Sequence, residues 1–455
     1  MVHTSSMSPV SLRSIAFPLA ASALFLFSVP SLSAATLCVN PAGTGGCKST
    51  INAAVTAASP GDTIRVASGT YKEDVIISKS LSLVAWDHRK PVIDATGLSN
   101  GIFISGMSAA PAAGVSNVLI SGFEVENANF EGILVANASD VTLLRNHVHD
   151  NDRALDSGAG TCNGIPAFET NEGEDCGEGI HLIGADHASL VHNDVSYNSG
   201  GILISDETGP SRSNLISEND VHDNPYECGI TIASHAPAKS VIPTATLPYG
   251  ISNTTISTNI SNHNGYEVAG GGAGVGIFAP FPGTQASGNV VIHNKLTNNG
   301  LPGVTMHNHA WSAMAPPVNL NDNVIVGNYI SGNAADDADA ATPGPTGINL
   351  YSVAPVWGTV VAENVIDDEA IDIAFKAPSG QMNVHLNNFM DKSIGIDNLG
   401  TGSSIDATEN WWKCPKGPGA PGCATVSGPN VQFTPWLTSP YEPFGDRDED
   451  HHDRD

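Results

Sequence analysis

Short apolar segments recur along the chain, and a glycine introduces each of them. The clearest copies are GIHLI, GILIS, GITIA, GVTMH and GINLY, which begin at Gly179, Gly201, Gly229, Gly303 and Gly347. Side chains on a strand alternate between two faces, so aliphatic residues at every second position predict β-strands with one face in a core. Strands this short bury a core only together with many neighbours, which predicts an all-β fold.

An asparagine pattern precedes several of these strands. RNHVHDN at 145–151 returns as HNDVSYN at 192–198 and ENDVHDN at 218–224, with weaker copies further along. The repeat places Asn219 26 residues after Asn193, which fits one coil of a parallel β-helix and is too short for a four-stranded propeller blade. Stacked coils would bring equivalent asparagines about 4.8 Å apart, within reach of amide hydrogen bonds from coil to coil.

Both ends of the repeat carry segments suited to closing a solenoid. The stretch TINAAVTAA at 50–58 predicts a short amphipathic helix that covers the apolar end of the first coil. Near the other end, Trp411 and Trp412 precede the loop CPKGPGAPGC and predict a C-terminal lid.

The first 35 residues have the pattern of a signal peptide. Arg13 precedes an apolar run at 15–29, and small residues end at Ala35, after which we expect cleavage. The run is too short for a comfortable membrane span, and no other candidate follows. The sequence therefore predicts a secreted or periplasmic chain without a transmembrane segment, with a β-helix domain at 36–440 and an acidic, disordered tail at 441–455.

The seven cysteines all follow the predicted cleavage site. In an oxidising compartment, their short spacings predict disulfides. The expected pairs are 38–47, 162–176 and 414–423, which leaves Cys228 as a buried thiol. Zinc is the alternative, but none of the pairs has CxxC spacing.

The chain is strongly acidic, with 18 Lys and Arg against 46 Asp and Glu and a formal net charge of −28. Such a surface repels phosphate backbones, so we expect no nucleic-acid partner. It also disfavours a polyanionic glycan unless a cation bridges the two.

These motifs together resemble the right-handed parallel β-helix proteins of the pectin-lyase-like superfamily. The features that carry the likeness are the helix with GDTIRVASGTYKEDVIISKSLSLVAW after it, the asparagine coils and the ENWW…GPGAPG end. The NosD-type branch and uncharacterised secreted β-helix repeat proteins are the most similar. The resemblance implies a right-handed parallel β-helix of about ten coils with an N-terminal helical cap, and NosD kinship implies copper. The motif sets of pectin methylesterases, polygalacturonases and mannuronan epimerases are absent, so the resemblance assigns no catalytic residue.

The positions that follow the repeated asparagine carry the densest ionisable cluster. They are His147, Asp194 and Asp220 in three successive coils. Adjacent coils would bring the two aspartates to about 5 Å, a spacing that suits a cation site or a pair of catalytic carboxylates and raises one of the two pKa values. With His181 nearby, these four are the predicted catalytic residues; Asp150 and Asp223 are candidate metal ligands.

An acidic insert, 152–178, lies beside this cluster and contains one of the expected disulfides. It could bind calcium, although it lacks EF-hand spacing and solvated acidic residues are the plain alternative. Long loops on a solenoid are often functional, so the insert marks this side of the repeat.

Histidines and aromatic residues are expected to line one outer edge. In GVTMHNHAW, Val304 and Met306 point inward, which sends His307 to the exposed face. The predicted substrate-binding residues are His235, His307, His309, Trp311 and Tyr351. The pair His307 and His309 could instead chelate copper, while Trp311 and Tyr351 suit stacking on sugars.

Three functions follow from these patterns. The first is a protein that binds and cleaves or modifies a polysaccharide in a groove along the solenoid, as a lyase, hydrolase or epimerase. The second is a periplasmic NosD-type copper-binding protein, and the third is a surface or adhesive solenoid without catalysis.

Overall fold

Successive coils of the chain lie directly over one another in the computed structural model, which describes residues 34–107, 114–152, 166, 168–169, 177–235, 250–268, 271–280, 282–308, 317–337, 342 and 344–442. Leu190, for example, pairs in parallel with Leu143 on one side and Ile216 on the other, and all three side chains are in the core. The fold is a right-handed parallel β-helix, as predicted.

Each coil contributes strands to three rows, which the chain visits in the order row 1, row 2, row 3. Rows 1 and 3 belong to a 28-stranded sheet, and row 2 is a separate 12-stranded sheet. Row 1 consists of Thr36–Val39, Thr63–Val66, Leu81–Ala85, Val115–Ser121, the second part of Ile133–Leu144, Ser189–Val191, Leu215–Ser217, Thr255–Ser257, Val290–Ile292, Val324–Val326, Val356–Ala362, Gly380–His385, Ser403–Asp406 and Val431–Gln432.

Row 2 consists of Thr70–Tyr71, Val92–Asp94, Glu124–Glu126, His147–His149, Asp194–Ser196, Asp220–His222, Ile260–Asn262, Lys295–Thr297, Tyr329–Ser331, Val365–Asp367, Asn388–Phe389 and Trp411–Trp412. Row 3 consists of Val75–Ile77, Ile102–Ser105, the first part of Ile133–Leu144, Glu178–Asp186, Gly200–Ser205, Ile230–Ala233, Val275–Phe278, Val304–His307, Thr346–Tyr351, Ile371–Lys376, Ile394–Asn398 and Thr425–Ser427. Three short strands between rows 3 and 1 complete the larger sheet: Ser211–Arg212, Ile251–Ser252 and Ala286–Ser287.

The glycine that opens each row 3 strand is required by close packing. A Cβ on Gly179 would lie 2.4 Å from Cγ1 of Val195, and one on Gly201 would lie 2.1 Å from the carbonyl oxygen of Gly229. No side chain fits at either position. The aliphatic residues that follow, such as Ile180 and Leu182, enter the core as the alternating pattern predicts.

Asparagine ladders fix the corners between the rows. At the corner between rows 1 and 2, Asn193 Nδ2 donates to Asn219 Oδ1 at 2.9 Å, and Asn219 Nδ2 donates to Asn259 Oδ1 at the same distance. A second ladder at the corner between rows 2 and 3 joins Asn198, Asn224 and Asn264. The predicted stacking is confirmed, and it satisfies buried amides that a sharp turn would otherwise leave unpaired.

The residue before each ladder asparagine adopts a left-handed conformation. The φ angles are 54° at Arg145, 55° at His192 and 56° at Glu218. Asp150 and Asp223, which precede asparagines of the second ladder, have φ angles of 55° and 54°. Polar residues are enriched at such positions, so the corner geometry by itself accounts for much of the repeated charge pattern.

The two ends differ from each other. The helix Ile51–Ala57 covers the first coil with Ile51, Ala54 and Val55 buried, and Thr50 caps it by accepting a hydrogen bond from the Ala53 amide. At the other end Trp411 and Trp412 are the last strand of row 2, not part of a separate lid, and the Trp412 ring packs 4.8 Å from that of Phe389.

Row 2 has twelve strands, where about ten coils were expected. Its first three strands, from Thr70–Tyr71 to Glu124–Glu126, come before the asparagine pattern begins. Phe123 stands where the ladder would continue, and its amide donates to Asn146 Oδ1 at 3.1 Å.

Two of the expected disulfides are present, Cys38–Cys47 and Cys414–Cys423. The disulfide 162–176, the signal peptide at 1–35 and the disordered tail at 441–455 stay predictions, because residues 162 and 176, 1–33 and 443–455 lie outside the described residues. Cys228 is buried and accepts a hydrogen bond from the Ala273 amide at 3.2 Å. In the part of the chain that the structure describes, no helix is long and apolar enough to cross a membrane.

Candidate functional site

The outer face of row 3 is polar but buried. The strand register places His181, Leu203, Thr231, Gly276, Thr305 and Asn349 in one column across six coils. His307 lies on the same outer face. Both side chains are buried, with exposed fractions of 1% for His307 and 0% for Thr305. The expectation that this face is exposed was therefore wrong, because other parts of the protein cover it.

His181 is the centre of a buried hydrogen-bonded network. Its Nδ1 lies 2.9 Å from Glu131 Oε1 and 3.4 Å from Glu169 Oε1, and its Nε2 lies 2.9 Å from Ser205 Oγ. Ser205 in turn donates to Glu207 Oε2. His181 itself is fully buried. A carboxyl group, an imidazole, a hydroxyl and a second carboxylate are thereby linked across three coils.

A second histidine extends this network. His235 Nδ1 lies 2.7 Å from Glu207 Oε1, and both side chains are fully buried. Burial alone would raise the pKa of Glu207, but the charge and hydrogen bond of His235 outweigh it and lower the value to about 2. These interactions favour the ionised form of Glu207.

Asp206 has the opposite shift. Burial, followed by the charge of Glu207, raises the pKa of Asp206 to about 7. Its carboxylate accepts hydrogen bonds from Ser234 Oγ and from the amides of His235 and Gly250. These bonds join the end of the row 3 strand to the start of the next coil.

A cluster of carboxyl groups surrounds the other end of the network. Burial is the largest effect on Glu131, followed by the charges of Glu178, Glu169 and Asp152, and together they raise the pKa of Glu131 well above its ordinary value. Glu131, Glu169 and His181 each offer a ligand atom within 4.8 Å of the others, so they could hold a cation. The acidic insert for which calcium binding was predicted contributes to this cluster.

Further along row 3 a smaller polar group surrounds His307. Its Nε2 lies 3.5 Å from Asp336 Oδ2, and its ring packs 4.6 Å from that of Phe278. Thr305 Oγ1 donates to Asp336 and accepts a hydrogen bond from Asn349. Tyr351, in the same column as His307, stacks with the Lys376 ammonium at 4.9 Å from the ring centre. His309 and Trp311 lie outside the described residues.

The outer face of row 2 is the exposed counterpart. As the repeat predicts, His147, Asp194 and Asp220 are neighbours in register. Asp194 Oδ1 lies 3.8 Å from His147 Nε2 and 3.4 Å from His222 Nε2. An open groove of about 340 Å³ beside them is lined by Asp220, His222, Ile260, Asn262, Lys295 and Thr297.

The two aspartates of row 2 have pKa values shifted in opposite directions. The hydrogen bond from His222 lowers the pKa of Asp194, whereas burial raises that of Asp220. The same bond raises the pKa of His222 to about 9, and burial lowers that of His147. One carboxylate of the pair has a raised pKa, as expected, but burial is the main cause and the charge of Asp194 only adds to it.

Asp150 and Asp223, the predicted metal ligands, each contact a preceding histidine. Asp150 Oδ2 lies 2.8 Å from His149 Nδ1, and Asp223 Oδ2 lies 2.7 Å from His222 Nδ1. Asp223 also contacts His263 Nδ1 at 2.6 Å. These partners are imidazole nitrogens, so the two aspartates do not converge on a common point.

The structure thus divides the four predicted catalytic residues between two faces, with His181 in row 3 and His147, Asp194 and Asp220 in row 2. Sequence reasoning missed Glu131, Ser205 and Asp206. A signal for Glu131 was present, because the segment Glu-Gly-Ile occurs at both 131–133 and 178–180, where each glutamate precedes the packed glycine of a row 3 strand.

Comparisons with known proteins agree on the fold. The family model for the right-handed β-helix region matches residues 94–243. Among solved structures, the Dettilon tailspike protein is similar with a TM-score of 0.53 and 12% identity over 82% of this chain, which covers 62% of that chain. Alginate lyase from Paenibacillus sp. str. FPU-7 has a TM-score of 0.42 and 12% identity over 73% of this chain and 98% of its own.

Pectate lyase Pel9A has a TM-score of 0.33 and 13% identity, over 89% of this chain and 80% of its own. No curated protein matches the chain significantly in sequence. The chain therefore has the right-handed parallel β-helix fold, and at these identities the solved structures define the fold alone.

Proposed function

We propose that the protein binds a polysaccharide beside row 3 and cleaves or modifies it by acid–base chemistry around Glu131, His181 and Glu207. Because these side chains are buried, the proposal requires that the residues over them move aside to admit the substrate. The observation that carries the proposal is a pair of buried carboxyl groups whose pKa values are shifted in opposite directions. The pKa of Glu131 is raised and that of Glu207 is lowered, and His181 with Ser205 connects the two. Such divergence separates an acid from a base at one pH.

The roles follow from these shifts. Glu131, whose pKa burial raises well above its ordinary value, is the candidate proton donor, while Glu207 holds His235 and orients Ser205. His181 lies between them and can pass a proton from one nitrogen to the other. Folding does not require an imidazole at the position of His181, because leucine occupies the same outward column in both neighbouring coils, at Leu134 and Leu203.

The shape of the face favours a linear substrate. The column from His181 to Asn349 extends over six coils, about 24 Å at a coil spacing of about 4.8 Å. It contains the imidazole of His181, the hydroxyls of Thr231 and Thr305 and the amide of Asn349, with Leu203 and Gly276 between them. Tyr351 offers an aromatic ring near its end. A polymer with many hydroxyl groups matches this surface better than a compact ligand.

Charge narrows the substrate class. With a net charge of −28, the protein repels polyanions, so a neutral polysaccharide, or an acidic one bridged by calcium at Glu131, Glu169 and Glu178, is favoured.

A panel of soluble neutral and acidic polysaccharides, incubated with and without calcium, tests the proposal. We expect turnover of at least one, measured as new reducing ends, unsaturated products or epimerised residues. Retention on affinity gels containing the same polysaccharides should accompany it. Neither turnover nor retention on any member, with or without calcium, would contradict the proposal and favour the non-catalytic solenoid.

The copper hypothesis has a different test. It concerns His307, which contacts Asp336, and His309, which lies outside the described residues. Titration with Cu(I) and Cu(II) would support it only if His307→Ala removes binding that substitution of His451 and His452 leaves intact.

A further inference from the structure

Side chains of the types that ligate metals lie together on the third and fourth strands of row 2, Glu124–Glu126 and His147–His149, apart from the row 3 network. His147 and His149 point outward from one strand, with Val148 between them in the core. The neighbouring coil places Glu124 opposite His147 and Glu126 opposite His149. Glu124, His147 and His149 each offer one ligand atom within 4.8 Å of the others.

The nitrogen and oxygen atoms of these side chains that can bind a metal lie close together. His149 Nε2 lies 3.3 Å from Glu124 Oε1 and 3.7 Å from Glu126 Oε2, and the two imidazole rings stack with their centres 4.0 Å apart. His149 Nδ1 lies 2.8 Å from Asp150 Oδ2. In the tautomer whose Nδ1 donates to Asp150, the lone pair of Nε2 faces the carboxylates of Glu124 and Glu126, and Nε2 can then ligate a cation held between them.

We propose that Glu124, His147 and His149 form a binding site for a borderline divalent transition metal of the class of Zn²⁺. Two imidazole nitrogens and a carboxylate oxygen are the ligands that such ions prefer, whereas calcium and magnesium take oxygen ligands alone. Glu126 is the fourth protein group within reach. Metal–ligand bonds are about 2.0–2.2 Å, so side-chain rotations must draw the ligands inward by a modest amount.

The surroundings fit the proposed site. Acidic side chains surround this part of row 2, because Asp94 is the register neighbour of Glu126 and Asp150 directly follows His149. Lys90 is the nearby positive charge that acts on His147. The side chain of His147 is 30% exposed, so a metal ion can reach its imidazole from the solvent.

Asp150 takes a defined part in this arrangement as a positioning residue. A metal-ligating histidine usually donates its other ring N–H to a carboxylate, which fixes the tautomer and the ring orientation. The contact between His149 Nδ1 and Asp150 has this geometry. Asp150 was predicted from the sequence as a metal ligand. In the structure it contacts Nδ1 of His149, the ring nitrogen that does not face Glu124.

The repeat supplies a matched control. The segment HVHDN at 147–151 returns as DVHDN at 220–224, so His222 has the same local surroundings and contacts Asp223 as His149 contacts Asp150. Asp220 takes the place of His147 there. The second copy therefore lacks the imidazole pair and should not form the site.

Zn²⁺ titration by calorimetry tests the proposal on the full chain with His451→Ala and His452→Ala, which removes the histidines of the tail. We expect His149→Ala to abolish one binding equivalent, and Glu124→Gln to weaken it more than tenfold. Asp150→Asn should weaken it about 10–100-fold, while His222→Ala should leave it unchanged. Co²⁺ bound at the same site should give the visible absorption of a nitrogen- and oxygen-ligated ion, and His149→Ala should remove it.

Absence of that equivalent from the parent protein would overturn the proposal. So would unchanged binding in His149→Ala, or an equal loss in His222→Ala. Melting temperatures measured in EDTA identify variants that fail to fold, and Glu124→Gln then provides the test, since it keeps both imidazoles.

Discussion

Rows 2 and 3 present the same residue types in two very different settings. Row 2 carries Asp194, His222 and their neighbours on an exposed face, where each charge remains in contact with water. Row 3 carries Glu131, His181, Glu207 and His235 with essentially no exposure. Exposed charges cost a solenoid little, but buried ones must be compensated by partners, so their presence in row 3 indicates a use beyond folding.

The two rows should differ most in the stability that is lost when the histidine partner of a carboxylate is removed. His235→Ala leaves Glu207 as a buried charge without its main counter-ion and should lower the free energy of unfolding by about 3–5 kcal/mol. The matched change in row 2, His222→Ala, should cost less than about 1 kcal/mol. Urea unfolding of both variants measures the contrast, and similar losses would show that burial does not distinguish the rows.

The ladder at the corner between rows 1 and 2 should be nearly as sensitive. Asn219 donates from Nδ2 to Asn259, Leu190 and Ser217, and it accepts from Asn193. Asn219→Ala removes these bonds and leaves buried donors unpaired, at a cost of about 3 kcal/mol. A loss below about 1 kcal/mol in urea unfolding would contradict the view that this ladder fixes the coils.

Glu369 gives a pH-dependent test at the corner between rows 2 and 3. It ends the second ladder, where its Oε1 accepts from Asn333 while Oε2 is buried without a hydrogen-bond partner. Burial raises the pKa of Glu369 to about 8. The folded protein therefore binds this proton more tightly than the unfolded chain. The free energy of unfolding should fall as the pH rises from the ordinary pKa of a glutamate towards 8.

Glu369→Gln removes the ionisable group while it keeps an acceptor for Asn333. Melting temperatures from pH 5 to pH 9 should fall less steeply in the variant, which we expect to be more stable by about 2 kcal/mol at pH 9. Parallel curves for the two proteins would show that Glu369 is not the group responsible.

The smallest effect concerns the exposed pair of row 2. The bond with Asp194 is the main cause of the raised pKa of His222, about 9, so Asp194→Asn should return that pKa towards its ordinary value in an NMR titration. The stability that this pair contributes is present below about pH 6.5 and is lost as pH rises through about 9. Solvent screening should keep the total below about 1 kcal/mol. An unchanged His222 pKa would contradict the assignment.

The sequence was sufficient for the scaffold because each of its features is local and repeats. The glycine that precedes most row 3 strands and asparagines such as Asn193 and Asn219 recur in the same order from coil to coil, so stacking could be inferred from the repeated pattern. The same reasoning correctly paired Asp194 with Asp220.

The candidate site was less predictable because burial is not local. Alternation shows that Thr305 and His307 leave the core, but not that other segments cover them. The link between Glu131 and Glu207 crosses three coils and involves residues 76 positions apart, at different places along their strands. A repeated polar residue at a corner can also have a conformational cause and no functional one. Asp150 and Asp223, which were predicted as metal ligands, occupy left-handed backbone positions that favour polar residues.

A comparison of turnover between one variant from each row tests the central claim most directly. On the polysaccharide that the wild-type protein converts, Glu207→Gln in row 3 should lower kcat by about 100-fold or more, whereas Asp220→Asn in row 2 should retain activity within about twofold. Loss of activity in Asp220→Asn with full activity in Glu207→Gln would place the chemistry on row 2 and contradict the account.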